Sequence, residues 1–238
     1  MSAFFYGVIL QWRLDLRNKG ILITYYVVPL IFFGFIGTIF TSINPESKDT
    51  LIQTMTIFAI TMGAFLGTPI PLVELYSSDV KKAYKVGGIP LWMSVVNNLL
   101  SAVVHLLITS TIIFMVAPIA FQAKRPENIS LYFTSLAIFI IVCVSIGTVL
   151  GVYIKSITRL TMFSQLLFLP SIMLAGIMFP TDLLPEALAS VGVVFPATWG
   201  LKIMTNATPL FVWFVPLIIM FVLAVIACGY KLSRMGVD

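Results

Sequence analysis

Residues 173–199 read MLAGIMFPTDLLPEALASVGVVFPATW, and what surrounds them decides the fold. The stretch is apolar, yet it is interrupted by Pro180, Pro185 and Pro196, by Asp182 and Glu186, and by small residues. A linker between soluble domains is more polar. A helix crossing a membrane does not hold three prolines so close together, because each removes a backbone donor and crowds the preceding turn. The segment therefore joins apolar elements without being one of them.

Working outward, the chain is 60% hydrophobic and 10% charged over 238 residues, with mean hydropathy +1.07. Soluble domains carry about 25% charge, so the composition excludes that class. Crossing ~30 Å of hydrocarbon takes about 20 apolar residues. Six runs of that kind are expected, at 20–40, 51–73, 91–117, 131–154, 160–179 and 210–230. They predict an all-α integral membrane protein, one domain over 1–238, with no room left for a soluble domain. Kinks are expected at Pro29, Pro170 and Pro216, where neighbours can satisfy the freed carbonyls. Ahead of the first run, residues 2–18 read as an interfacial amphipathic helix. Phe4, Phe5, Val8, Ile9, Trp12 and Leu16 recur on one face, with Asp15 and Lys19 intruding on it. The competing reading is a frayed start to the first span. A cleavable signal peptide is not expected, since QWRLDLRNK stands where a small-residue cleavage site would.

Loop charge orients the chain. Arg13, Arg17, Lys19, Lys81, Lys82, Lys85, Lys155, Arg159, Lys231 and Arg234 fall on one side. Only Lys48, Lys124, Arg125 and Lys202 fall on the other. The excess predicts both termini in the cytoplasm and the opening stretch outside. It also explains the net charge of +5 through topology and anionic lipid, without nucleic acid. Cys143 and Cys228 lie inside apolar runs, so a disulfide framework is not expected.

Two loops and one span carry the candidate function. In ELYSSDVKKAYKVGGIP, residues 74–90, Ser77, Ser78 and Asp79 suit a helix N-cap and DVKKAYKV a two-turn helix. Gly87 and Gly88 end it and Pro90 starts the next span. Such a helix can dock on a partner protein; a solvated basic loop accounts for the spacing equally well. Glu74 can pair with a base of that loop or of a partner. On the outer side, Leu174 to Ile177 are expected to complete the fifth span. Residues 180–206 then form one or two short helices, with Thr181 or Asp182 capping the first, Pro185 near its start and Pro196 stopping the next. Leu183, Leu184, Leu188, Val191 and Val194 would fold back onto the bundle, shaping a lid or exit or serving as a connector. Phe211, Trp199 and Trp213 suit the membrane interface. His105, the sole histidine, sits mid-way along the third span. An intramembrane ionisable group is a functional candidate by default; the structural alternative is a neutral imidazole bonding between helices. Asn97, Asn98, Gln53 and Gln165 are expected to bond between helices too. Asn128-Ile-Ser130 and Asn206-Ala-Thr208 match the N-glycosylation pattern.

Several chemistries have no carrier. The chain has no G-x-x-x-x-G-K-[ST] and no H-E-x-x-H, and one histidine with two scattered cysteines does not build a tetrahedral metal site. No cofactor or metal is expected on it. Apart from His105, no acid or base falls clearly inside a span, against a proton- or sodium-coupled carrier. A lipid-modifying enzyme would need a second titratable group beside His105, and none is expected at that depth.

These features together resemble the permease subunits of type-2 ABC exporters, over nearly the whole chain. The most specific part is the opening stretch. That family's pattern runs Leu-Ser-Gly, a gap, Pro, then Leu-Pro and a last Pro before the final span. Leu174-Ala175-Gly176, Phe179-Pro180, Leu184-Pro185 and Phe195-Pro196 answer it, with Ala175 in place of Ser. The family's coupling loop reads Glu, basic residues, Gly-Thr, Leu, Pro. Glu74 and Pro90 fit its ends and Lys81-Lys82-Ala83-Tyr84 its core; the Gly-Thr pair is missing. The resemblance implies a coupling loop containing Glu74, Asp79, Lys81, Lys82, Tyr84 and Lys85. It implies an extracellular hairpin marked by Gly176, Pro180, Asp182, Pro185, Glu186 and Pro196. A separate ATPase subunit would hold ATP and Mg, and a second permease copy or paralogue would complete the pathway. The implied setting is a bacterial plasma membrane, and the implied cargo a drug, peptide antibiotic or other amphipathic molecule. The alternative is a membrane scaffold or sensor that recruits a cytoplasmic partner.

Overall fold

The computed structural model describes residues 3–77, 90–178, 184–206 and 211–235, and among them there is no strand. Helix α1 (Ala3–Arg17) is a separate element, not a frayed span. Asn18 breaks the chain with an extended backbone, and its Oδ1 accepts from the N–H groups of Gly20 and Ile21. That caps the orphan donors of α2 (Lys19–Ile43).

Helix α2 and its neighbour α3 (Leu51–Tyr76) share an irregularity. Each widens into one π-turn, Ile23–Val27 and Gly63–Gly67, two residues before a proline, Pro29 and Pro69. Proline offers no N–H, so the carbonyl four residues earlier loses its helical partner. For Pro29 that carbonyl is Tyr25, and the Thr109 hydroxyl of a neighbouring helix donates to it at 2.8 Å. The break is thus repaired from outside the helix, as a membrane interior requires.

Helix α4 (Leu91–Phe121) runs past the expected end of the third span, through Pro118, and stops where Gln122 takes φ 56. Pro118 lies in the last turn, where it removes the N–H that would bond the Phe114 carbonyl, and the helix ends three residues further on. Helix α5 (Ile129–Tyr153) starts at Asn128, whose side chain accepts from the Leu131 N–H at 2.9 Å. Helix α6 (Ile157–Leu174) continues through Pro170 and ends at Leu174, so residues 175–177 do not extend it as expected. Gly176 sits at φ 87, a left-handed backbone that closes a helix and favours glycine. Two short helices follow, α7 (Glu186–Gly192) and α8 (Pro196–Thr205), bent at 88°. The last, α9 (Val215–Met235), completes an apolar stretch from Phe211 to Arg234. Pro216 falls in its first turn, where no kink arises.

Among the described residues, six helices are long and apolar enough to cross a membrane. Six crossings would put the two ends of the described chain on one side. In agreement, Lys231 of α9 lies 5.4 Å over the Tyr153 ring at the end of α5, and the Tyr153 hydroxyl donates to the Ala227 carbonyl at 3.0 Å. At the opposite end the Lys124 N–H reaches the Lys48 carbonyl at 3.0 Å, joining the α2–α3 and α4–α5 loops.

Helix α3 is the hub, 83% buried over its most apolar window, and α5 follows at 67%. Their seam depends on absent side chains. A Cβ at Gly147 would stand 2.0 Å from the Ala64 carbonyl oxygen, and one at Gly151 2.9 Å from that of Pro69. Small residues four apart admit the two backbones to direct contact, the usual way lipid-embedded helices gain packing. Helices α6 and α9 are peripheral, only 28% and 11% buried.

Candidate functional site

The densest polar cluster lies where α1 meets α2 and α4. Helix α1 turns Val8, Gln11, Trp12 and Asp15 inward and leaves Phe5, Ile9, Arg13 and Arg17 exposed. Asp15 is 3% exposed. Gln11 donates to its Oδ1 at 2.9 Å, the i,i+4 spacing of one helix face, and Ser101 of α4 donates to its Oδ2 at 2.5 Å. One turn further along α4, His105 Nε2 stands 3.8 Å from the same Oδ2, too far for a hydrogen bond. Tyr26 of α2 bonds His105 Nδ1 at 2.6 Å. The Trp12 and Tyr25 rings stack on the imidazole at 6.2 and 5.1 Å. Burial raises the Asp15 carboxyl above its ordinary value of 3.8, and the bonds from Ser101 and Gln11 pull it partly back.

This cluster corrects one expectation and refines another. His105 does bond between helices, through Tyr26. It is not alone at its depth, because α1 folds Asp15 against it. The signal was in the sequence as a carboxylate on the wrong face of an amphipathic helix; only the docking of α1 on α4 gives it a partner. His105 is fully buried. Nearby, the Asn98 amide donates to the Thr68 carbonyl at 3.0 Å, linking α4 to α3. Gln165 is exposed and makes no such link.

At the same end, α3 brings Glu74 out to an exposed position. The rest of the expected coupling set, Asp79, Lys81, Lys82, Tyr84 and Lys85, lies outside the described residues.

The opposite end carries two cavities. One, of about 310 Å³, lies between the α2–α3 and α4–α5 loops and the end of α8. Its rim is charged, with Asp49, Lys124, Arg125 and Glu127, and its buried wall includes Gln53 and Tyr132. Lys124 and Asp49 pair at 2.9 Å but are 72% and 50% exposed, so the pair adds little stability. The other cavity, of about 490 Å³, is more apolar, with Phe40, Ile43, Gly176, Ile177 and Met178 around Thr50 and Thr54.

The segment after α6 departs from expectation in two ways. Pro196 starts α8 instead of stopping a helix, because at the first helical position its missing N–H has no bond to lose. It is α8 that folds into the bundle, burying Pro196, Ala197, Gly200, Ile203 and Met204. Leu188, Val191 and Val194, expected to do so, are 44%, 49% and 68% exposed. The two short helices are held together by the Thr198 hydroxyl on the Gly192 carbonyl at 2.6 Å and the Trp199 Nε1–H on the Val193 carbonyl at 2.8 Å. Pro185 precedes α7 and Glu186 opens it, whereas Pro180, Thr181, Asp182 and Leu183 lie outside the described residues.

Six apolar helices, a surface helix locked to the third long one and a bent pair before the last define an all-α multi-pass membrane protein. The family model for the ABC-2 type transporter matches residues 3–208, and the chain belongs to that family. No curated protein and no solved structure matches it. Membership makes the chain a membrane permease component of an ABC transporter, the transport subunit and not the ATPase. Helix α9 lies beyond the matched segment.

Proposed function

We propose that this chain is the transmembrane half of an ATP-driven exporter. Its loop 74–90 receives a separate ATPase subunit that holds ATP and Mg, and a second permease copy or paralogue completes the pathway. The observation that carries the reading is the family match over residues 3–208 on a six-helix chain without a phosphate-cradling G-x-x-x-x-G-K-[ST]. Energy must then come from a docked nucleotide-hydrolysing partner. The basic loops, ten residues against four, favour both termini in the cytoplasm of a bacterial cell and residues 180–206 outside. The apolar cavity beside Gly176 favours an amphipathic cargo such as a drug or peptide antibiotic.

The test is co-purification with a P-loop ATPase subunit co-expressed with this chain, after Lys81, Lys82 and Lys85 are each replaced by Glu. Loss of the complex, with the permease still at normal membrane levels, is expected. A complex that persists with transport-coupled hydrolysis would overturn the assignment of the loop.

A further inference from the structure

The α1–α4 joint has an unbalanced charge and unmet bonds. With Asp15 ionised and His105, Tyr25 and Tyr26 neutral, the cluster carries one negative charge. The cations of α1 and its junction, Arg13, Arg17 and Lys19, are exposed. From α2 the facing titratable groups are Tyr25 and Tyr26, and from α4 His105; α3 contributes Thr68, bonded to the Tyr25 hydroxyl at 3.0 Å. Two buried ring nitrogens in the joint, Trp12 Nε1 and His105 Nε2, have no partner among the described residues. His105 Nε2 and Asp15 Oδ2 face each other across 3.8 Å, about 1 Å beyond a good hydrogen bond.

We propose that Asp15 and His105 form a proton-binding site that fastens α1 to α4. The proton comes from water at the headgroup level and settles between Nε2 and Oδ2. No other bond is made or broken, and the cluster passes from one negative charge to none. The gap then closes to a hydrogen bond, so the docked helix holds tighter with the proton than without it. The sign agrees with the environment of Asp15. A buried carboxyl whose titration is raised favours the docked state at low pH, and that contribution fades as pH rises through the raised value. The inference concerns α1 docking in this chain alone and stands apart from the exporter reading.

The experiment uses the purified full chain in lipid nanodiscs, with no ATPase, and reads amide hydrogen-exchange protection of residues 3–17 corrected for intrinsic exchange. Protection is expected to be several-fold greater at the acid end of the range in which the protein stays folded than at the alkaline end. Asp15→Asn, with its oxygen still accepting from Gln11 and its amide nitrogen in the Oδ2 position, donates to His105 Nε2 and to the Ser101 hydroxyl, so it mimics the protonated joint: protection is expected to be high at every pH. Asp15→Ala is expected to be low at every pH, and the Asn variant shows that the fold survives a change at this position. His105→Gln removes the imidazole half of the site while Asp15 stays buried, and is expected to weaken the pH dependence. A flat wild-type profile, or the wild-type profile surviving in Asp15→Asn or in His105→Gln, would overturn the proposal.

Discussion

At the scale of single residues, the α3–α5 seam makes the sharpest demand. The Ala64 carbonyl occupies the space a side chain at position 147 would need. Gly147→Ala is therefore expected to destabilise the protein by about 1–3 kcal/mol, as overpacking of a tight core does. Gly34→Ala, with nothing within 4 Å of the new carbon, is expected to be neutral or to gain up to ~1 kcal/mol from helix propensity. Parallel unfolding curves in one detergent check both; equal effects would show that the seam is looser than its geometry. The role of Gly147 was not legible in the sequence, where its spacing from Gly151 looks like many other small pairs. What makes it necessary is the carbonyl it faces, which belongs to a helix more than seventy residues earlier. Asp15 was half legible: its misplaced charge was visible, its partners were not.

At the scale of the element, proline decided what could be foreseen. Pro29 was expected to kink α2, and the structure puts a π-turn there, whose free carbonyl is met by Thr109. Thr109→Val should leave the Tyr25 carbonyl buried and unbonded, at a cost of about 1–3 kcal/mol. Thr111→Val is the control. Its hydroxyl bonds only back to the Leu107 carbonyl of its own helix at 2.7 Å, and the same unfolding assay is expected to show a smaller loss. If the two variants behave alike, the repair from outside α2 is not what holds the turn. Helix existence was legible throughout, because long apolar runs leave little choice. Ends were not. The early stop of α6 depends on one left-handed residue, Gly176, and the start of α8 on reading Pro196 as a beginning. A proline between apolar residues suits either end of a helix, and only the burial of Ala197, Gly200 and Ile203 tells which side is helical.

At the scale of the whole molecule, the six-helix pattern and the family both followed from composition and from the Leu174-Ala175-Gly176 to Pro196 stretch. The joint between α1 and α4 did not, since amphipathicity alone says that a helix lies on something apolar and not on what. An even crossing number has a direct check. With Cys143 and Cys228 replaced by Ala, single cysteines at Glu186 and at Ser233 are expected to react with a membrane-impermeant maleimide from opposite sides of sealed vesicles. Reaction from the same side would remove one crossing. The hub arrangement also limits how the bundle can move. The Ala64 oxygen rests in the notch at Gly147 and the Pro69 oxygen in the one at Gly151, a helical turn further on. Turning α5 to present any larger residue to either oxygen would drive a side chain into backbone. The two helices are keyed at both points, so any rearrangement of this permease is expected to carry α3 and α5 together.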